Sequence, residues 1–589
     1  MLTGSTKFGV QDVTASSSRF ARSIFLILAV VALAIGIQHT LSLAFVNDDA
    51  FISFRYVENL VRGNGLVYNA GERVEGYTNF LWTLLLALGS SLSLDPVSLS
   101  KTLGITFFIF TLTLFVYLSW KLRTEGNVLF FFLPLTSIAL ALQRDFCVYA
   151  TSGLETSMFT FFAAGTFATL MMARSIRGLL FSGFMVVLTM LTRPDGVVFL
   201  IASVVFILIA YRKPIASIIT FSLPSIFLFA PYWIWRYSYY DYFFPNTFYA
   251  KSIDVPYYSQ GFDYLSLYFQ VNYVFIIIAV LAIIAFWKMI KSIMPLRGQS
   301  NFLELLHENS IFPHHVLLAG LFCITYMFFI VRIGGDFMHA RFLIPITPML
   351  YFIGEHLLTR LFKARVYMIV AALIIITTIF RNDIYKNNLN VGYVVDEAKF
   401  YTENQHQRAM NEGKILQRYL HDLPVRMAFG PAYIKTAYYS DLPYALETST
   451  GLTDTFLSHQ ILSIRGRPGH EKPASMDYLL RRKIHFYIGP RLSLPHGEFP
   501  LNAILFDTLI AQIITYDEAL MSKLLRYPEV RFTHIPSYID EYLKKISEYP
   551  YTKVMQDYAY LKQFYFSHNE DNIREAIFIQ LLEQRKSPQ

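Results

Sequence analysis

The 589-residue chain is 54% hydrophobic and 16% aromatic, with a mean hydropathy of +0.40, and only 16% of it is charged, against roughly 25% in soluble domains. These values exclude a soluble enzyme, a disordered chain and a fibrous repeat. The net charge of +8 fits basic connectors facing anionic lipid and calls for no nucleic acid.

Arg19 and Arg22 precede an apolar stretch that is too long for a signal-peptide core. It reads as an uncleaved anchor, although Ser42, Leu43 and Ala44 loosely fit a cleavage site. Apolar runs recur near 22–45, 101–120, 128–142, 157–173, 178–192, 197–211, 215–235, 270–288, 314–331, 343–360 and 366–380, which predicts about 11 transmembrane helices. Basic connectors at 121–123, 174–177, 211–213, 287–297 and 360–365 are cytoplasmic by the positive-inside rule. Five segments then lie outside, at 47–79, 143–156, 192–196, 237–268 and 332–341. The stretch 80–93 breaks the alternation and is expected as a helix in the outer interface. After Phe380 no run is long enough to span, so the chain divides into a membrane unit, 1–380, and a soluble C-terminal domain, 381–589, outside the membrane. Strands at 425–429 and 484–488 and helices over 397–420 and 540–564 predict a mixed α/β or α+β domain. No internal repeat is visible, which weighs against a transporter built from duplicated halves. Cys147 and Cys323 offer neither metal-ligand spacing nor a disulfide framework.

The outer connectors hold nearly every ionisable residue that a membrane core would resist. Asp48 and Asp49 would each cost about 2.5–3.5 kcal/mol at the bilayer centre. They either cap the next helix or form a pair in which one carboxylate is a base or nucleophile and the other tunes it. Arg55, Glu72, Arg73, Glu75 and Tyr77 follow among glycines, a carboxylate and aromatic mixture suited to sugars. Glu155 heads a membrane helix, as a helix-dipole partner or a site acid. Arg193 sits between two apolar runs and either binds phosphate or pairs with Asp195. Asn246 and Lys251 lie in an aromatic belt, while Arg332, Asp336, His339 and Arg341 surround a glycine turn. The two arginines there suit bidentate phosphate recognition. Cations and carboxylates together at the outer leaflet suggest a lipid phosphate whose headgroup is transferred.

Asn47-Asp48-Asp49-Ala50-Phe51, Gly71-Glu72-Arg73-Val74-Glu75-Gly76-Tyr77-Thr78-Asn79, Thr151-Ser152-Gly153-Leu154-Glu155-Thr156, Thr192-Arg193-Pro194-Asp195-Gly196 and Pro245-Asn246-Thr247-Phe248-Tyr249-Ala250-Lys251 resemble the membrane arabinofuranosyltransferases of the GT-C class that use polyprenyl-phosphate-arabinose. In the soluble part, Gly451-Leu452-Thr453-Asp454 and Gly466-Arg467-Pro468-Gly469-His470-Glu471-Lys472 are similar to the same family. The resemblance implies a GT-C fold, with Asp48 as the first choice for base or nucleophile, Asp49 as its partner and Glu155 as an additional acid. It implies decaprenyl-phosphoryl-β-D-arabinofuranose or a similar phosphosugar as donor, in a bacterial cytoplasmic membrane with the site on the outer, periplasmic side. The lipid phosphate is then expected against Arg193, Lys251, Arg332 and Arg341. Sugar or acceptor contacts are expected at Arg55, Glu75, Tyr77, Asn246, Asp336, Asp454, His470 and Glu471. The acceptor is an arabinan-like glycan of the cell envelope or a Ser/Thr of type IV pilin. No cofactor is certain, though Asp48, Asp49 and Glu155 could hold a divalent cation. The rival readings are a lipid-linked sugar flippase or transporter, a glycan receptor, and an enzyme using another polyprenyl-phosphate sugar.

Overall fold

A computed structural model describes residues 8–121, 133–293, 314–489 and 501–585. Residues 122–123, 128–132 and 294–297 of the predicted connectors and runs lie outside these. Every one of the eleven apolar runs contains a helix. In chain order the membrane part comprises α1 (Phe8–Ser42), α2 (Ala50–Val61), α3 (Phe80–Ser91), α4 (Pro96–Lys121), α5 (Leu135–Leu142), α6 (Arg144–Val148), α7 (Thr156–Met172), α8 (Ile176–Thr192), α9 (Val197–Ala210), α10 (Pro214–Pro224), α11 (Ala230–Tyr240), α12 (Asn246–Ala250), α13 (Tyr258–Val271), α14 (Val274–Ile293), α15 (His314–Ile333), α16 (Thr347–Leu361) and α17 (Ala364–Ile379).

These helices differ in length. Four helical stretches among the described residues are long and apolar enough to cross a bilayer alone, namely Arg22–Ser42, Pro96–Lys121, Pro214–Tyr240 and His314–Ile333. The pair α13 and α14, bent by 99°, makes up to five. The 17-residue helices α7 and α8 reach about 25 Å at 1.5 Å per residue, short of a core about 30 Å thick. The predicted runs thus hold four or five long apolar helices and several shorter ones packed among them. α3 has only 12 residues, about 18 Å of helix, too short to span.

Two breaks matter for the site. Pro194 drives the preceding residue out of the helical region, and Arg193 is extended at φ −154°, ψ 141°. α8 therefore ends inside the bundle with a guanidinium at its tip. Between α15 and α16, Gly335 turns at φ +72° with its backbone so close to Tyr264 that a Cβ would lie 2.5 Å from the ring. Only glycine allows that path, which brings Asp336 and Arg341 back over the bundle.

A short antiparallel pair, β1 (Asn390–Val391) and β2 (Val394–Val395), leads into the soluble part. There α18 (Glu403–Leu420) and α19 (Ile434–Ser440) accompany β3 (Arg426–Phe429), β4 (Tyr444–Glu447), β5 (Phe486–Ile488), β6 (Ala503–Phe506), β7 (Leu509–Ile513) and β8 (Val530–Phe532). The six strands form a mixed sheet in the order β4-β3-β5-β7-β6-β8, parallel around β3 and antiparallel from β5 onward. The helix predicted over 397–420 breaks at Thr402, which caps α18 in a capping box with Gln405. The one predicted over 540–564 breaks before Pro550, where Tyr551–Leu561 begins. This soluble part sits on α2. Phe51 and Phe54 pack against Tyr438 at ring separations of 5.2 and 6.1 Å, and Arg62 pairs with Asp441 at 2.6 Å.

Candidate active site

The five connectors expected on the outer side meet at one end of the bundle. Between them is a cavity of about 280 Å³, lined among others by Asp49, Tyr77, Glu155, Arg193, Lys251 and Arg341. Its polar floor comes from the end of α8, the start of α7 and the turn between α15 and α16. Its apolar wall includes Val197, Phe244, Phe248, Phe329 and Ile333.

Glu155 anchors the floor. One oxygen accepts from Arg193 at 3.2 Å and from Arg341 at 3.3 Å, and the other accepts from Asn79 Nδ2 at 2.9 Å. Burial alone would raise its pKa, but the Arg341 and Arg193 guanidiniums and the Asn79 amide outweigh it, so the carboxyl sits below its ordinary range. Arg193 forms a two-point pair with Asp195, at 2.9 and 3.1 Å, and Tyr326 donates to the same Asp195 at 2.5 Å. Arg341 also approaches Asp336 at 3.5 Å, whose other oxygen is 3.9 Å from Lys251. Lys251 is thus the least neutralised cation of the cavity.

Asp49 differs from these paired groups. Its backbone N–H donates to Asn47 Oδ1 at 2.8 Å. Its carboxylate, facing the cavity, has no hydrogen-bond or ion-pair partner among the described residues. Burial pushes its pKa up, Arg341 and Lys251 pull it back, and the result is about 6. A carboxylate free of partners, yet ionised near neutral pH, is chemically available.

Several of the expected site residues lie outside this cavity. Asp48, the first choice, does not line the cavity. It accepts from the backbone N–H groups of Ile434 at 3.2 Å and Lys435 at 2.9 Å, at the start of α19. It is a buried clasp between the first outer loop and the soluble domain. Arg332 donates to the Ile253 carbonyl at 3.1 Å and is not among the residues that line the cavity. Arg55 donates to the carbonyls of Tyr68 and Leu442, both at 2.8 Å. Glu75 is locked to Arg236 at 2.6 Å. Asn246 holds the 451–454 loop through the Gly451 and Leu452 carbonyls, at 2.9 and 2.8 Å. Glu471 is tied to Arg465 at 2.8 Å and to the Gly466 N–H at 2.7 Å. His470 lies edge-on to Phe337 at 4.5 Å, and burial lowers its pKa to about 4. Asp454 caps Thr455–Ser458 and accepts from Tyr478 at 2.6 Å. These residues join connectors and domain rather than lining the cavity. Asp336 acts from behind Arg341 and Lys251.

Sequence reasoning missed Glu397, which accepts from Asn47 Nδ2 at 3.0 Å and whose pKa burial raises to about 8, with Asp49 adding to the rise. It also missed Tyr326. Glu397 carried no signal, since it is one charge among many in a polar stretch. Tyr326 carried a weak one, a hydroxyl inside an apolar run. No group of three or more His, Cys, Asp or Glu is placed to hold a metal ion among the described residues.

Fold and site together define a polytopic helical membrane protein whose connectors enclose an ionic, partly apolar cavity roofed by an α/β domain. No family model matches the chain. It is 26% identical over 333 residues to the terminal beta-(1→2)-arabinofuranosyltransferase of Corynebacterium glutamicum, a match covering 51% of this chain and 46% of that protein. It is 29% identical over 238 residues to the protein of the same description from Mycobacterium tuberculosis, covering 38% and 37%. The matches thus span less than half the length of either relative. Among solved structures, ArnT from Cupriavidus metallidurans bound to undecaprenyl phosphate aligns with a TM-score of 0.43 and 13% identity, over 73% of this chain and 86% of that one.

Proposed function

We propose that this protein is a membrane glycosyltransferase of the GT-C class. It transfers D-arabinofuranose from a polyprenyl-phosphate donor to a glycan acceptor on the outer side of a bacterial cytoplasmic membrane. The observation that carries this reading is the unpartnered Asp49 carboxylate facing Lys251 and Arg341 across a cavity with one apolar wall. The wall suits the first isoprene units of the donor, and the cations suit its phosphate. The relatives' description as arabinofuranosyltransferases supports the choice of sugar. In this reading residues 1–380 bind the donor and carry the chemistry, and residues 381–589 hold the acceptor over the cavity.

A β-configured donor and a β-linked product share one anomeric configuration, so the reaction retains it and proceeds through two displacements. In the first, an Asp49 oxygen attacks C1 of the sugar and the bond from C1 to the phosphate oxygen breaks. The electron pair leaves on the lipid phosphate, stabilised by Lys251 and Arg341. In the second, the acceptor hydroxyl attacks C1, the bond to Asp49 breaks and the carboxylate is restored. The hydroxyl proton passes to the lipid phosphate still in the cavity, whose second pKa is about 6. Glu155, ionised and held by two arginines, fixes those guanidiniums and supplies no proton. Asp48 serves by holding the loop that presents Asp49.

The test is transfer of radiolabelled arabinose from synthetic polyprenyl-phosphoryl-arabinofuranose by purified protein, offering an arabinan oligosaccharide and a pilin C-terminal peptide side by side. Labelled oligosaccharide, lost in Asp49→Asn, is expected. Donor binding without transfer to either acceptor would refute the reading.

A further inference from the structure

A second cavity, of about 520 Å³, lies against the first. It is lined by Glu72, Arg73, Asp241, Tyr242, Asp454 and Arg482, with Tyr240 as its back wall. The two cavities share their partitions. Tyr240 faces the second and approaches Tyr77 of the first, hydroxyl to hydroxyl, at 3.4 Å. The 451–454 loop presents Leu452 to the first and Asp454 to the second. We propose that this second cavity is the acceptor subsite, which holds the residues of a neutral oligosaccharide behind the one whose hydroxyl enters the reaction cavity. The proposal rests on the transferase reading above and specifies where its acceptor binds.

Three features favour an uncharged, polyhydroxylated ligand. The lining carries three carboxylates and two guanidiniums, so the cavity offers fixed donors and acceptors without a strong field of either sign. Two of these groups are unspent. Among the described residues, the Asp241 carboxylate has no hydrogen-bond or ion-pair partner. The Arg73 guanidinium only lies over the Tyr239 ring, at 4.7 Å. A carboxylate and a guanidinium fork in one cavity match a pair of vicinal hydroxyls, with the carboxylate accepting and the fork donating. Asp241 also holds a left-handed backbone at φ +62° where it ends α11. The third feature is the Tyr242 ring, 38% exposed, a flat apolar face against which a sugar ring can lie. Arg482, also in the lining, donates to Glu72 at 2.6 Å. The volume falls within the 300–1,000 Å³ typical of ligand sites, enough for a few sugar rings.

The experiment measures binding of a neutral arabinofuranose hexasaccharide and of a Ser/Thr-rich peptide to the full-length protein in nanodiscs, alongside transfer to both. The variants are Tyr242→Ala and the double substitution Arg73→Gln/Asp241→Asn, all at exposed positions, with donor-lipid binding as the check on folding. The proposal expects wild type to bind the hexasaccharide and each variant to weaken that binding at least tenfold. The same variants should raise KM for a hexasaccharide acceptor more than for a disaccharide. Hexasaccharide bound equally by wild type and variants, with transfer intact, overturns the subsite and leaves the transferase reading standing. Binding lost in the variants, in a wild type that transfers nothing, refutes the transferase reading and overturns the cavity's role as an acceptor subsite, leaving only an oligosaccharide-binding site. Peptide binding that the variants abolish, or no binding of either probe, overturns the proposal.

Discussion

Replacing Asp48 and Asp49 one at a time by asparagine separates two roles that neighbouring positions obscure. Asp48→Asn keeps one oxygen able to accept from Ile434 or Lys435, loses the other acceptor and removes a charge beside Lys435. A hydrogen bond to a charged group contributes about 1.5–3 kcal/mol. Stranding a buried partner can cost about 3–5 kcal/mol, but burial already lowers Lys435 to about 8, so it can shed its proton. A loss of about 2–4 kcal/mol follows, with the surviving folded protein still active. Asp49→Asn breaks no hydrogen bond of the side chain and removes a carboxylate whose ionisation burial disfavours, so stability near pH 7 should be unchanged or higher. It removes the attacking group, and transfer should fall by about 10⁴-fold or more. Thermal unfolding in detergent, paired with initial rates of labelled-arabinose transfer, reads both effects. Abolished transfer in Asp48→Asn at unchanged stability, or substantial transfer in Asp49→Asn, would refute the assignment.

The pH dependence follows from the same group. Asp49 must be ionised to attack and its pKa is raised to about 6, so kcat/KM should fall below about pH 6, approaching tenfold per unit, while Glu155 stays ionised. A flat profile between pH 5 and 7 would contradict this. Lys251→Met removes a cation that lowers Asp49, so it should move that limb upward as well as raising KM for the donor. Arg332→Gln, which loses only a bond to the Ile253 carbonyl, should leave donor KM unchanged and cost about 1 kcal/mol or less. Arg236→Met strands Glu75 in a buried pair and should cost about 3–5 kcal/mol in unfolding measurements, with Arg236→Met/Glu75→Leu recovering much of the loss.

The sequence placed the chemistry better than it placed the atoms. Apolar runs locate helices because burial in lipid demands continuous apolar length, and each of the eleven runs holds a helix among its described residues. Their lengths as spans were not legible, since proline breaks and the 99° bend between α13 and α14 depend on packing against neighbours. The connectors bearing Glu155, Arg193, Lys251 and Arg341 do converge, as the scarcity of tolerable places for charge near a membrane requires. Which of two adjacent aspartates faces the cavity was beyond the sequence. Successive residues at a helix start point different ways, and the choice rests on α19, nearly 400 residues further on, offering its backbone N–H groups to Asp48. The same kind of long-range contact ties Arg55, Glu75 and Asn246, expected as sugar contacts, to other connectors and to the soluble domain.

The most direct test of the central claim is to incubate the purified protein with a slowly hydrolysed 2-fluoro analogue of polyprenyl-phosphoryl-arabinofuranose, without acceptor, and to map the quenched protein by peptide mass spectrometry. A pentosyl adduct on Asp49, absent in Asp49→Asn and discharged on adding acceptor, is the predicted result. Donor consumed in the presence of acceptor, with Asp49 never modified and the product inverted at C1, would contradict it.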